Sequence, residues 1–449
     1  MRIRVTPGPA ISGTTRVPAD KSIAHRWLLL ASMARGTSHL GGLGDPMALD
    51  VASTADACGA LLGRKPGRLG ERVRAVGLPD GMAGPDHWTL QVEGVSRRQW
   101  WPPGAPLDCG NSGTSMRLLM GVIAASSAGA VLDGDESLRS RPMERVAEPL
   151  RRMGAGVETV DGHAPVTVKG ARLQGISHRS PVPSAQVKSA ILLAGINASG
   201  RTEVFEVALT RDHTERALRA LGGPVFDIEG GVAVERFEVP GFAGTVPGDV
   251  SSAAILAGAA VVTGGEVVLE RVGANPTRAA FLRVLERMGV TIQLDSAEEE
   301  VGEPVGTLRV ALRSALEGTV VAAGELPEVI DEVPLLAVVA AHADGESRFE
   351  GAGELRVKES DRLGGVRDLI RGLGGDASVE GDALVVAGGG LRGGSATSNG
   401  DHRMAMAAVV ATLAAHGPSE IDGVEAAGVS FPGFTAAMLD LGARIEVLG

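Results

Sequence analysis

Cysteine is scarce in this chain, and Cys58 and Cys109 lack the close paired spacing of a zinc site or a disulfide scaffold. That excludes a stapled secreted fold and fits a reducing compartment. No run of about eighteen apolar residues occurs, and the opening Met1-Arg-Ile-Arg-Val-Thr-Pro-Gly has no apolar targeting segment. Neither a membrane span nor a secretory signal is expected, and the expected location is the cytoplasm. Also missing are a Gly-Lys-Ser/Thr phosphate loop, a His-Glu-x-x-His helix and a Cys-x-x-Cys pair. The run Gly388-Gly-Gly-Leu-Arg-Gly-Gly reads as a loop rather than a nucleotide fingerprint. Positive charge is in deficit too. A net charge of -11 argues against a broad nucleic-acid face, so an anionic ligand has to be held by a local cluster of Arg and Lys.

What is present is enough apolar material for at least two domains: 449 residues, 44% hydrophobic and 22% charged. A weak internal repeat organises it. Six times a small or capping polar residue precedes an Ala/Leu-rich run, at Asp20-Lys-Ser-Ile-Ala-His-Arg, Asn111-Ser-Gly-Thr-Ser-Met-Arg, Ser184-Ala-Gln-Val-Lys, Asp249-Val-Ser-Ser-Ala, Asp331-Glu-Val-Pro-Leu and Asp401-His-Arg-Met-Ala. These runs are apolar nearly all round, which predicts helices buried in domain centres. Each unit closes on a second helix that stops at glycine (Gly63, Gly154, Gly222, Gly289, Gly374, Gly442) and is followed by strand-like segments such as Glu266-Val-Val-Leu-Glu and Leu308-Arg-Val-Ala-Leu. The expected fold is α/β (α+β), with two similar domains of three βαβ-type units each. One domain spans 20–246; the other spans 247–449 together with the strand in 1–19. Residues 64–105, rich in Gly, Pro and Arg and carrying His87-Trp88 and Trp100-Trp101, break the rhythm and read as a surface excursion packed by its own tryptophans, with Arg97 and Arg98 marking a second reading as a contact surface.

A helix start offers free N–H groups and the positive end of a dipole, so it favours anions. Several of these starts also carry cations: Lys21 and Arg26 at the first, Arg117 in the second, His402 and Arg403 at the sixth. Spacing of four places Lys358 and Arg362 on one helical face, with Glu359 between them. Taken singly, each cation is more simply a solvated charge, Asp331 an N-cap and Glu359 a partner of Arg362. Their recurrence beside apolar helix starts favours an enzyme that handles an anion bearing several phosphates or carboxylates.

At Pro18-Ala-Asp-Lys-Ser-Ile-Ala-His-Arg, Leu107-Asp-Cys-Gly-Asn-Ser-Gly-Thr-Ser-Met-Arg, Leu355-Arg-Val-Lys-Glu-Ser-Asp-Arg and Asp401-His-Arg-Met-Ala-Met, the chain resembles the 3-phosphoshikimate 1-carboxyvinyltransferases, or EPSP synthases. Ser184-Ala-Gln, Thr210-Arg-Asp-His-Thr-Glu and Pro247-Gly-Asp follow in the family's order, and the likeness runs from Val17 to about Phe434. The resemblance implies an inside-out α/β barrel architecture, with two domains closing on substrates at a hinge. It implies that Lys21, Ser22, Arg26, Ser184, Ala185, Gln186, Asp331 and Lys358 hold shikimate 3-phosphate, with Arg211 a further candidate. Phosphoenolpyruvate is implied to meet Lys21, Gly113, Arg141, Gln186, Arg362, His402 and Arg403, with Asn111 and Thr114 lining the loop. Asp331, Glu359 and Lys21 carry the implied proton transfers, no cofactor or metal takes part, and a monomer with no nucleic-acid or membrane partner is expected.

Departures from the family pattern are Ala19 for its usual Gly, Ala24 where Ser is common, and Val429-Ser-Phe-Pro where some members carry Lys. The nearest alternative is the sister enzyme acting on UDP-N-acetylglucosamine, which needs a reactive loop cysteine; Cys109 reads instead as a buried small residue. A catalytically silent anion binder is the other alternative, and the filled catalytic positions count against it.

Overall fold

The computed structural model describes residues 1–44, 46–64, 69, 71–74, 88–95 and 99–448. Its chain forms two compact units, one of Ala19–Pro247 with Glu299–Glu303, the other of Met1–Pro18, Gly248–Glu298 and Pro304–Gly449. Each unit has its own hydrophobic core. The segment 299–303 departs from the expected division. It is the turn between two long strands, and its Glu303 pairs with the buried His213 of the Ala19–Pro247 unit at 2.8 Å.

The six apolar runs are helices: Lys21–Met33, Gly113–Ala124 and Ala185–Gly195 in one unit, Val250–Thr263, Val333–Ala341 and His402–Leu413 in the other. They are called here the first to sixth inner helices. Beyond the first turn nearly every residue is buried, as a helix without a polar face requires. Side-chain caps set their starts: Asp20, Ser112, Ser184, Asp249 and Asp401 accept from backbone N–H groups of the first turn. The fifth has no side-chain cap and starts with a proline in its first turn instead.

Around these helices lie six four-stranded sheets, three per unit. Each joins one parallel pair to two antiparallel neighbours, so the repeat is visible in hydrogen-bond pattern as well as in sequence. All six are open sheets, and no sheet among the described residues closes into a barrel. The strand Arg2–Thr6 runs between Ser419–Asp422 and Arg444–Leu448, antiparallel to both, with Ile3 and Val5 fully buried. The second helix of each unit stops at glycine with positive φ, from +68° at Gly63 to +106° at Gly154.

The stretch 64–105 corrects the expectation of a surplus excursion. Within it, Glu71–Arg74 and Trp88–Gly94 pair antiparallel and supply two strands of the first repeat's sheet. Trp100 is buried in the core, whereas Trp101 is 64% exposed. His87, Arg97 and Arg98, the remaining candidates there, lie outside the described residues.

Close helix packing depends on missing side chains. A methyl group on Gly121 in the second inner helix would stand 2.2 Å from the Ala190 carbonyl oxygen in the third. Gly121→Ala therefore forces the two helices apart. We expect a loss of about 1–3 kcal/mol, read as a lower urea midpoint with an unchanged slope; an unshifted midpoint would contradict this spacing.

Candidate active site

In the Ala19–Pro247 unit, polar groups gather at the starts of three inner helices. Lys21 opens the first, half-buried, and its ammonium donates to Asp50 Oδ2 at 2.8 Å. The Asp50 carbonyl accepts from Ser115 Oγ at 3.3 Å, and Ser115 also meets Ser112 and Thr54, so the second helix start braces the partner of Lys21. Thr54 in turn meets His25 Nδ1 at 2.7 Å, and burial, with Lys21 and Arg26 adding to it, pushes that imidazole well below its usual pKa. It stays neutral.

At the second start, Asn111 accepts from Arg141 at 2.6 Å and donates to Asp135 at 2.7 Å. Gln186, in the first turn of the third helix, accepts from Arg117 and donates to Thr114 Oγ1 at 2.8 Å. A Cβ on Gly113 would lie 3.0 Å from one Arg117 nitrogen and 3.4 Å from one Arg141 nitrogen. Glycine thus leaves room for two guanidinium groups against the start of this helix, an arrangement suited to an oxyanion.

Arg26 lies one turn deeper and is 2% exposed. It donates to Ser22 O at 2.7 Å, Ser189 Oγ at 2.7 Å and Thr214 Oγ1 at 2.8 Å, and burial lowers it to about 10. Here it ties its own helix to two others and lends charge rather than an open fork. Ser184 caps the third helix, Ala185 follows half-buried, and Arg211, also half-buried, adds positive charge felt at Arg26.

The other unit carries a denser ionic cluster. Arg362, 1% exposed, meets Glu359 at 2.6 Å, Asp401 at 2.8 Å and Asp331 at 3.8 Å. Burial works to lower its pKa, but these carboxylates outweigh it and the net shift is upward. Asp401, which caps the sixth inner helix, is held below the usual carboxylate range: burial acts to raise it, and the Arg362 guanidinium prevails. Arg403 donates to the Asp331 carbonyl at 2.8 Å and lies 3.7 Å from its Oδ2. His402 is buried at the first position of the same helix. Burial pushes the Lys358 ammonium down and Arg362 adds to this, while Asp331, Glu354 and Glu359 oppose it.

One local reading is corrected. Lys358 and Arg362 do not share a helical face, because a 3₁₀ turn over Ala352–Val357 ends at Lys358 and a new helix, Arg362–Gly372, starts after its cap Asp361. The break lets Glu359 fold back on Arg362. Asp331 is also not the cap of the fifth helix; that position belongs to Glu332. Residues that the sequence did not single out include Asp50 and Arg278, each in an unremarkable stretch, and Ser251, which sits in a marked helix start; all three matter through a partner distant in sequence.

Two repeats of three around buried helices, with cations crowding the helix starts, define an enzyme for small polyanions. A family model described as EPSP synthase (3-phosphoshikimate 1-carboxyvinyltransferase) matches residues 5–438. The 3-phosphoshikimate 1-carboxyvinyltransferase of Acidithiobacillus ferrooxidans is 42% identical over 449 residues, covering 99% of both chains. That of Desulfitobacterium hafniense is 44% identical over 442 residues, covering 96% of both. Among solved structures, EPSP synthase from Acinetobacter baumannii aligns over 100% of both chains with a TM-score of 0.85 and 37% identity. The chain belongs to the EPSP synthase family.

Cys109 is fully buried and its thiol is pushed up by burial, with Asp108 and Asp133 adding to it, which removes the nucleophile that the sister reaction would require.

Because the folded pKa of Asp401 is depressed, its contribution to stability is present above the unfolded value of about 4 and is lost as pH falls through the folded value. Asp401→Asn should cost about 3 kcal/mol at pH 7, since Arg362 is left partly unpaired, and should flatten the fall in stability below about pH 4. Denaturant titrations between pH 3 and 7 test both, and parallel pH curves for variant and parent would refute the pairing.

Proposed function

We propose that the residues gathered at the inner helix starts carry the enolpyruvyl transfer as follows. The reaction itself moves the enolpyruvyl group of phosphoenolpyruvate to the 5-hydroxyl of shikimate 3-phosphate, releasing phosphate, in the route to chorismate and the aromatic amino acids. The observation that carries the assignment is the placement of Asp331 between Arg362 and Arg403, within 3.8 Å of one and 3.7 Å of the other.

The 5-hydroxyl attacks C2 while C3 gains a proton. Asp331 takes the hydroxyl proton. The tetrahedral intermediate then loses phosphate from C2 and a proton from C3, which restores the double bond. Glu359, held by Arg362, handles the proton at C3, and Lys21 neutralises the departing phosphate and shares in the proton traffic.

Lys21, Ser22, Arg26, Ser184, Ala185, Gln186, Arg211, Asp331 and Lys358 make up the shikimate 3-phosphate set. Lys21, Asn111, Gly113, Thr114, Arg141, Gln186, Arg362, His402 and Arg403 make up the phosphoenolpyruvate set. Fixed donors stabilise charge as it shifts between carboxylate and phosphate. A pKa lowered by burial suits Lys358 to a site from which water is excluded when substrate binds. The reading extends to a cytoplasmic monomer working without a cofactor; no described helix is long and apolar enough to cross a membrane.

Phosphate release from phosphoenolpyruvate is the direct assay, run with shikimate 3-phosphate and in parallel with UDP-N-acetylglucosamine. Release with the first alone is the expected result. Asp331→Ala and Glu359→Gln should each lower kcat by about 10²–10⁴ with the fold intact. Near-parental turnover in either folded variant would remove that residue from the mechanism.

A further inference from the structure

Beside the ionic cluster, a hydroxyl and a carboxylate sit between two arginines, and the assignment above gives them no part. Ser251, in the first turn of the fourth inner helix, accepts from Arg278 Nη2 at 2.5 Å and from Arg403 Nη2 at 3.3 Å. Its own hydroxyl proton goes to Glu332 Oε1 at 2.5 Å. That oxygen also lies 3.4 Å from Arg403 Nη1 and 3.7 Å from Arg278 Nη2. Ser251, Arg278 and Glu332 are buried, whereas Arg403 is half-buried.

The supporting turn is built for the purpose. After the strand Glu266–Gly273, the Arg278 N–H donates to the Asn275 carbonyl at 2.9 Å. The Asn275 side chain accepts from Thr277 N at 3.0 Å and Thr277 Oγ1 at 2.9 Å. Arg278 therefore reaches Glu332 from a turn held by local hydrogen bonds.

We infer that Arg278, Ser251 and Glu332 are positioning residues for Arg403, and that Arg278 sets how tightly Glu332 grips it. The inference rests on the reading of Arg403 as a phosphoenolpyruvate ligand. A buried carboxylate facing Arg403 alone would take both of its terminal nitrogens in a short bidentate pair. That pair would cancel the charge needed for an anionic substrate. Arg278 draws on the same oxygen and Ser251 occupies it, so Arg403 keeps one longer contact with Glu332 and is oriented chiefly by the Asp331 carbonyl. Ala254, Ile255 and Leu335 line the same space, so few other donors can replace the Ser251 hydroxyl.

The test compares Ser251→Ala, Arg278→Met, Arg278→Lys and Arg403→Lys by steady-state kinetics in each substrate, with thermal melts as a control. Ser251→Ala keeps every charge and should raise KM for phosphoenolpyruvate about five- to tenfold, with KM for shikimate 3-phosphate within about twofold. Arg278→Met should raise it further, and Arg278→Lys should recover part of the loss because an ammonium still shares the Glu332 charge. If Arg278→Met does not fold, Ser251→Ala and Arg278→Lys carry the test. Should Arg403→Lys leave KM for phosphoenolpyruvate unchanged, the ligand role of Arg403 itself fails. If Arg403→Lys raises it while Ser251→Ala and Arg278→Lys change both substrates equally, or lower kcat alone, the positioning inference is overturned and the ligand role stands.

Discussion

Everything in this molecule follows from helices that have no polar face. An α-helix that is apolar on all sides has to be surrounded, and each unit meets that demand by wrapping three such helices in three sheets. Inside such a core the places that tolerate polar groups are the helix starts, where unbonded N–H groups need partners. Caps, cations and substrate candidates therefore collect there. Other charged groups, Glu359 and Arg362 among them, reach these starts from neighbouring segments.

The two units use those starts differently. Around Arg26 the acceptors are two hydroxyls and a carbonyl, so the guanidinium is fixed in place while burial lowers its pKa. Around Arg362 the acceptors are carboxylates, which raise the pKa and lock the charge on. The first arrangement holds a cation as scaffold and field source. The second ties the orientation of two acids, Glu359 and Asp331, to one immovable group.

Much of this was legible in the sequence because it is written in local terms. Capping residues, all-apolar runs and terminal glycines each act over a few positions, and they marked four of the six helix starts by the residue that caps them, the other two falling one position early at Asn111 and Asp331. Lys21, Asn111 and Arg403 could be singled out because they stand beside those signals. Long-range partners left no such mark. Arg278 follows an ordinary Asn-Pro-Thr turn, and its meaning depends on Ser251 and Glu332 from two other helices. Lys358 and Arg362 show the opposite failure: a spacing of four suggested one helical face, but Asp361 accepts from Gly364 N and starts a separate helix. In 64–105 the Gly and Pro content concealed two strands that pair with each other, one of which also pairs with Gly36–Gly41.

The strand Arg2–Thr6 occupies an interior position in the sheet that also contains Ser419–Asp422 and Arg444–Leu448. During synthesis, then, Ile3 and Val5 stay uncovered until Ser419–Asp422 and Arg444–Leu448 have been made. Ala19–Pro247 is nearly continuous and lacks only 299–303, so it can mature while synthesis continues. The other unit has to close a loop from Arg2–Thr6 to Ser419–Asp422 and Arg444–Leu448, a contact of high sequence separation that is expected to form late.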